Sequence, residues 1–157
     1  MYSTEGIVLK KLDIGEADTL YGIYTRDYGK IRALAHGIRK EEAKLRGHLE
    51  VLSLSGIGFV VGRAGEKLIA ANLMRFWPQV RSREHTVRLA TEIARDVDTQ
   101  CFPGEKDESV WELLLATFAA LDRNDFSDDE ARSFLTHFRG RLREHLGYGA
   151  SGEEGIV

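Results

Sequence analysis

Cysteine is almost missing from this chain: Cys101 stands alone among 157 residues. A single thiol excludes an intramolecular disulfide framework and any zinc site built from paired CxxC motifs. Long hydrophobic runs are missing too, and none reaches the roughly 18 residues that a membrane-spanning helix needs. The N-terminus, Met1-Tyr2-Ser3-Thr4-Glu5, has neither the basic flank nor the apolar core of a signal peptide. Catalytic signatures are equally scarce, because the five histidines form no HExxH and have no CxxC companion. These absences predict a cytoplasmic protein without a cofactor, held together by its apolar core. Apolar residues make up 43% and charged residues 30%, an ordinary composition for one domain or for two small ones.

The net charge of −3 argues against a nucleic-acid binder, but its distribution does not. Residues 1–78 carry a net +3 and residues 79–157 a net −6. Between Arg26 and Arg46 the cations Arg26, Lys30, Arg32, Arg39, Lys40, Lys44 and Arg46 outnumber Asp27, Glu41 and Glu42. Such a stripe can hold a polyanion while the whole chain stays acidic. A solvated loop of long side chains is the plainer alternative.

The first half reads as strands. Gly6–Leu12, Ala17–Thr25 and Lys30–Gly37 are separated by turn signals at Asp13–Glu16 and at Asp27-Tyr28-Gly29-Lys30. In the third strand Ile31, Ala33 and Ala35 share one face, and Lys30, Arg32, Leu34 and His36 share the other. A charged, turn-like excursion over Ile38–Gly47 precedes two further extended stretches, Val51–Val61 and Glu66–Trp77. Five strands with one long gap after the third predict an oligonucleotide/oligosaccharide-binding (OB-type) barrel over 1–77.

Pro78 marks a change to helical periodicity. Val87, Ala90, Ile93, Ala94, Val97 and Cys101 form one stripe, closed by Phe102-Pro103-Gly104. Val110, Leu113, Leu114, Phe118 and Leu121 form a second. A third follows the capping-box spacing Ser127…Glu130 and carries Phe134, Leu135, Phe138, Leu142 and Leu146, with Gly147 as its cap. The expectation is an α+β chain: barrel over 1–77, antiparallel helical domain over 78–148, and flexible tail over 149–157.

Apparent chemical motifs mostly have structural explanations. Cys101 could be a nucleophile, but its place on an apolar stripe suits a small core residue. The glycines from Gly56 to Gly65 resemble a phosphate loop, yet a strand rather than a helix follows them. Asp128 and Asp129 favour a helix dipole. Arg81, Arg88 and Arg95 interleave with Glu84 and Glu92 as a solvent face. Arg132, Arg139 and Arg143 share a helix face with fewer partners, and there too solvation is the bland reading. Tyr21, Tyr24 and Tyr28 could stack bases, although barrel packing accounts for aromatics more often.

Several short motifs occur in the order seen in the RecO family of bacterial recombination mediators. They are Thr4-Glu5-Gly6-Ile7-Val8-Leu9, Gly15-Glu16-Ala17-Asp18, Thr25-Arg26 with Gly29-Lys30, Gly37-Ile38-Arg39 and Leu45-Arg46-Gly47-His48-Leu49-Glu50. Leu146-Gly147-Tyr148 resembles the end of that family's first long helical stretch. The resemblance implies an OB-type barrel followed by helices and a role in recombinational DNA repair. It also implies binding and annealing of single- and double-stranded DNA, with RecR and single-strand-binding protein as partners. Family members often hold zinc on four cysteines further along; this sequence has none of them, so no metal is carried over. Arg26, Lys30, Arg32, Arg39, Lys40, Lys44 and Arg46 are the expected phosphate contacts, with Arg63 and Arg75 as weaker ones. A protein-interaction adaptor that docks RecR-like or single-strand-binding proteins is the rival expectation, and a hydrolase or transferase lacks any constellation to support it.

Overall fold

A computed structural model describes residues 1–147. Tyr148 and the tail expected over 149–157 lie outside the described residues. Five strands come first: β1 Tyr2–Ile14, β2 Asp18–Thr25, β3 Gly29–Ala35, β4 Leu54–Gly62 and β5 Gly65–Arg75. They close in the order β1-β2-β3-β5-β4. All pairings are antiparallel except β3 with β5, which meet in parallel over Ala33–Glu66 and Leu34–Lys67. This is the expected OB-type barrel, and the long gap after β3 is the excursion that the sequence announces.

β1 outruns its expected bounds at both ends because it pairs with two neighbours, β2 and β4. A bulge lies between Val8 and Lys10, where β1's register against β2 shifts. An extra residue in one strand bends it and reverses which side chains face inward. Val8 therefore lies in the core opposite Ile23, whereas Lys10 and Leu12 pair with Gly22 and Leu20 on the outer face. The core gathers Val8, Tyr21, Ile23, Ile31, Ile57, Phe59 and Leu68, and Ile38 and Leu49 of the excursion join it. Ile31, Ala33 and Ala35 are buried, as their alternation predicts.

The helices are α1 Pro78–Arg81, α2 Glu84–Gln100, α3 Glu108–Arg123 and α4 Asp128–His145. α1 is a single turn that the periodicity does not reveal; Pro78 sits in its first turn, where a missing N–H costs nothing. Trp77 before it adopts φ 50°, and its ring packs 4.9 Å from that of Phe118. The Ser127–Glu130 capping box forms reciprocally at the start of α4. Gly147 follows the helix at φ 87°, the left-handed position a C-terminal cap requires. Cys101 is buried.

The chain divides into two compact units, Met1–Phe76 with Asp98–Lys106, and Trp77–Val97 with the chain from Asp107 onward. The last turn of α2 and the segment after it thus belong with the barrel. Pro103 bridges to Lys30, and the Gly104 N–H donates to the Lys30 carbonyl at 2.9 Å. Gly29 has φ 66° and lies under this segment so closely that a Cβ there would stand 2.2 Å from the Glu105 carbonyl oxygen.

Candidate nucleic-acid interface

The excursion between β3 and β4 is a staircase of tight turns, with Lys40, Ala43, Arg46 and His48 each donating N–H to a carbonyl three residues back. Its two ends are fastened. Asp18 accepts from the Gly37 N–H at 2.7 Å and meets His36 at 3.2 Å. The Gly37 hydrogen bond, helped by His36, holds the Asp18 carboxyl below its ordinary pKa. At the far end the Ser55 hydroxyl donates to the His48 carbonyl at 2.7 Å, and the Leu73 N–H donates to His48 Nδ1 at 3.3 Å. Ile38 and Leu49 turn into the core, so Arg39, Lys40, Lys44 and Arg46 are left on the outside.

The expected cations fall into three groups. Lys40, Lys44 and Arg46 are exposed and make no ion pair within 4 Å among the described residues; Arg32, on the outer face of β3, is likewise exposed and unpaired. Arg39 plays a bracing part: its guanidinium donates to the carbonyls of Ile14 and Gly15 and lies 3.7 Å from Asp13, so it clamps the excursion to the β1–β2 hairpin.

Two residues leave the expected path. Lys30 does share the face of Arg32, but residues 98–106 cover it: only 7% exposed, it donates to the Asp98 carbonyl at 2.5 Å, with the Asp98 carboxylate at 4.0 Å. A buried, satisfied ammonium has no surface to offer a phosphate. Arg26 sits at the far end of β2 from the excursion, roughly 20 Å away at ~3.3 Å per strand residue. There it pairs with Glu5 at 3.0 Å and Asp27 at 3.3 Å.

The register shows cations that the sequence reading passed over. Lys10, Gly22 and Arg32 form one cross-strand row on the outer face; Leu12, Leu20, Leu34 and Lys67 form the next. Lys10 pairs with Asp98 at 2.7 Å, while Lys67 is exposed without an ion pair among the described residues. The turn holding Arg63 joins β4 to β5 just before Glu66 meets Ala33, which brings it toward Arg32. Arg75, opposite Leu54 at the other end of β5, is remote from this group. Tyr21 and Tyr24 are buried, and Tyr28 packs against Tyr2 and Phe59 with ring centroids 5.3 and 5.6 Å away. None of the three presents a free face beside the excursion.

No helix among the described residues is long and apolar enough to cross a membrane. No cluster of three or more metal-ligating side chains occurs among them. Residues 1–72 match the family model described as "Recombination protein O N terminal". The chain is 29% identical over 148 residues to the "DNA repair protein RecO" of Pelotomaculum thermopropionicum, which covers 94% of this chain and 56% of that protein. It is 40% identical over 77 residues to the protein of the same name from Gloeothece citriformis, covering 49% of this chain and 27% of that one. With the Dehalococcoides mccartyi protein of that name, identity is 27% over 148 residues, 94% of this chain and 56% of the relative. The chain therefore spans about half the length, or less, of these curated relatives. With a closed five-stranded barrel and a match that covers it nearly from end to end, the chain belongs to the RecO family.

Proposed function

We propose that this chain binds DNA in recombinational repair, capturing the phosphate backbone by electrostatics and performing no chemistry on a bond. The observation that carries the reading is the set of four exposed cations, Arg32, Lys40, Lys44 and Arg46, without an ion pair among the described residues, on and beside one end of an OB-type barrel. Phosphate binding gains from each cation that releases counterions, and a fastened staircase holds these cations in place before a ligand arrives. OB-type barrels bind oligonucleotides on the face of strands 2 and 3, where Arg32 stands, and the excursion that follows β3 carries the other three cations. Annealing of complementary strands and binding of both single- and double-stranded DNA belong to the same proposal.

Fluorescence anisotropy with a labelled single strand across a salt series tests it. Four phosphate contacts predict a slope of log K against log[salt] of about −3, at ~0.7 per contact. No binding at low salt would overturn the reading.

One observation favours the second reading, a docking role toward a RecR-like or single-strand-binding protein. In the helical unit a groove of about 810 Å³ opens between α3 and α4, with Leu113, Ala116, Ala120, Phe134 and Phe138 along it. Open apolar grooves of this kind mark protein contacts more often than chance. In that reading the chain does not itself bind DNA tightly, so the salt series separates the two.

A further inference from the structure

The β1–β2 end of the barrel opens into a cavity of about 390 Å³, within the range of small-ligand sites at barrel mouths. Small barrels usually fill such interiors with apolar side chains. Here the bulge in β1 turns Lys11 and Asp13 to the same side of the sheet as their register partners Tyr21 and Thr19, so charge lines the mouth. Ile38 and Leu49, both buried, close the floor, and Arg46 and Glu50 stand at the rim.

The polar groups here are unequal. Asp13 is occupied: it accepts from the Thr19 hydroxyl at 3.1 Å and lies 3.7 Å from Arg39. Lys11 and Arg46 have no ion pair among the described residues. Tyr21 is only 5% exposed, yet its hydroxyl has no hydrogen-bond partner among the described residues. Burial, with Glu50 and Asp13 nearby, raises the phenol above its usual pKa, so it stays a donor at neutral pH. The ring is held in the core while the hydroxyl, free as a donor, lines a cavity shared with two cations that have no ion pair among the described residues.

We propose that this cavity binds a phosphate monoester, as carried at the end of a nucleic-acid strand, through Lys11, Arg46 and the Tyr21 hydroxyl. A monoester carries nearly two charges near neutral pH and three free oxygens, which matches two cations and one neutral donor. A phosphate within a strand has fewer free oxygens and a single charge, so it matches two cations and a neutral donor less well. The terminal phosphate as the natural source rests on the DNA-binding reading; the cavity's chemistry would equally hold a free mononucleotide.

The test compares single strands of one sequence ending in 5′-phosphate, 3′-phosphate or hydroxyl, each labelled at the opposite end and followed by anisotropy. One phosphorylated form is expected to bind about tenfold tighter than the hydroxyl form, the effect of one charge-assisted hydrogen bond. Tyr21→Phe should bring that ratio close to one, and Glu50→Gln should raise it; thermal melts confirm that both variants fold. If hydroxyl and phosphate ends bind alike while salt-dependent binding persists, the cavity proposal fails and the backbone reading stands. If no strand binds at all, the backbone reading fails, and NMR titration with thymidine 5′-monophosphate decides the cavity. Shifts at Lys11, Tyr21 and Arg46 that thymidine does not produce support it, and their absence overturns it.

Discussion

Paired cations occur in both units, but only the barrel gathers several exposed ones without an ion pair among the described residues around one of its ends. In the helical unit Arg83, Arg88, Arg132, Arg139 and Arg141 each lie within 4 Å of an acid, and the Arg139–Asp96 pair at 2.7 Å is partly buried. In the barrel, Arg32, Lys40, Lys44 and Arg46 have no such partner among the described residues. Exposed ion pairs contribute little to stability, but they do neutralise charge that a polyanion could use. The contrast separates cations spent on the protein's own surface from cations left for something else. Lys30 makes the point within the barrel itself, since it belongs to the basic stripe by sequence and to the interior by structure.

The largest effect that would sharpen this contrast is at Gly29. Gly29→Ala places a Cβ against the Glu105 backbone and adds the strain of a left-handed φ. Urea unfolding should show a loss of about 3 kcal/mol, the sum of overpacking and backbone terms. Lys30→Met comes next: removing the ammonium leaves the buried Asp98 with Lys10 alone, and stability should fall by about 2–3 kcal/mol. The same variant should leave the salt slope of DNA binding unchanged. A shallower slope at full stability would return Lys30 to the binding surface.

Replacing Lys40, Lys44 and Arg46 together by alanine should shallow the salt slope by about 2, at ~0.7 per contact, and weaken binding to every sequence alike. Removing Arg81, Arg88 and Arg95 together is the matched comparison and should change the slope far less. Equal losses would make binding a diffuse charge effect and dissolve the distinction between the units. The smallest effect concerns pH. Asp18 has a lowered folded-state pKa, so its contribution is present above the unfolded value near ~3.9 and is lost as pH falls through the folded one. Asp18→Asn should therefore flatten the acid limb of a stability profile while leaving its shape near neutrality intact.

Most of the architecture was legible because local rules carried it. Turn residues at Asp27–Lys30, alternation over Ile31–Ala35 and the Ser127 capping box each depend on neighbours within a few positions. The candidate site was legible only in part. Alternation puts Lys30 and Arg32 on one face, but what covers that face is Asp98, 68 positions away. The bulge at Leu9 is likewise silent in composition, and it reverses the parity that would send Leu12 inward. The paired Lys10-Lys11 was the available signal, since two adjacent lysines in a strand break a simple alternation. Lys67 could be placed beside Leu34 only once the parallel β3–β5 contact was known.

The return of residues 98–106 to the barrel also bears on how the protein is made. A ribosome delivers the N-terminus first, and domains generally fold as they emerge. All five strands are synthesised before Asp98 exists, so a nascent barrel must wait with Lys30 uncovered and Gly29 without its neighbour. Translation speed through the first helices then sets how long that half-finished surface persists. A stalled chain ending before Asp98 would carry an extra exposed cation beside Arg32, giving the unfinished protein a stronger attraction for polyanions than the finished one.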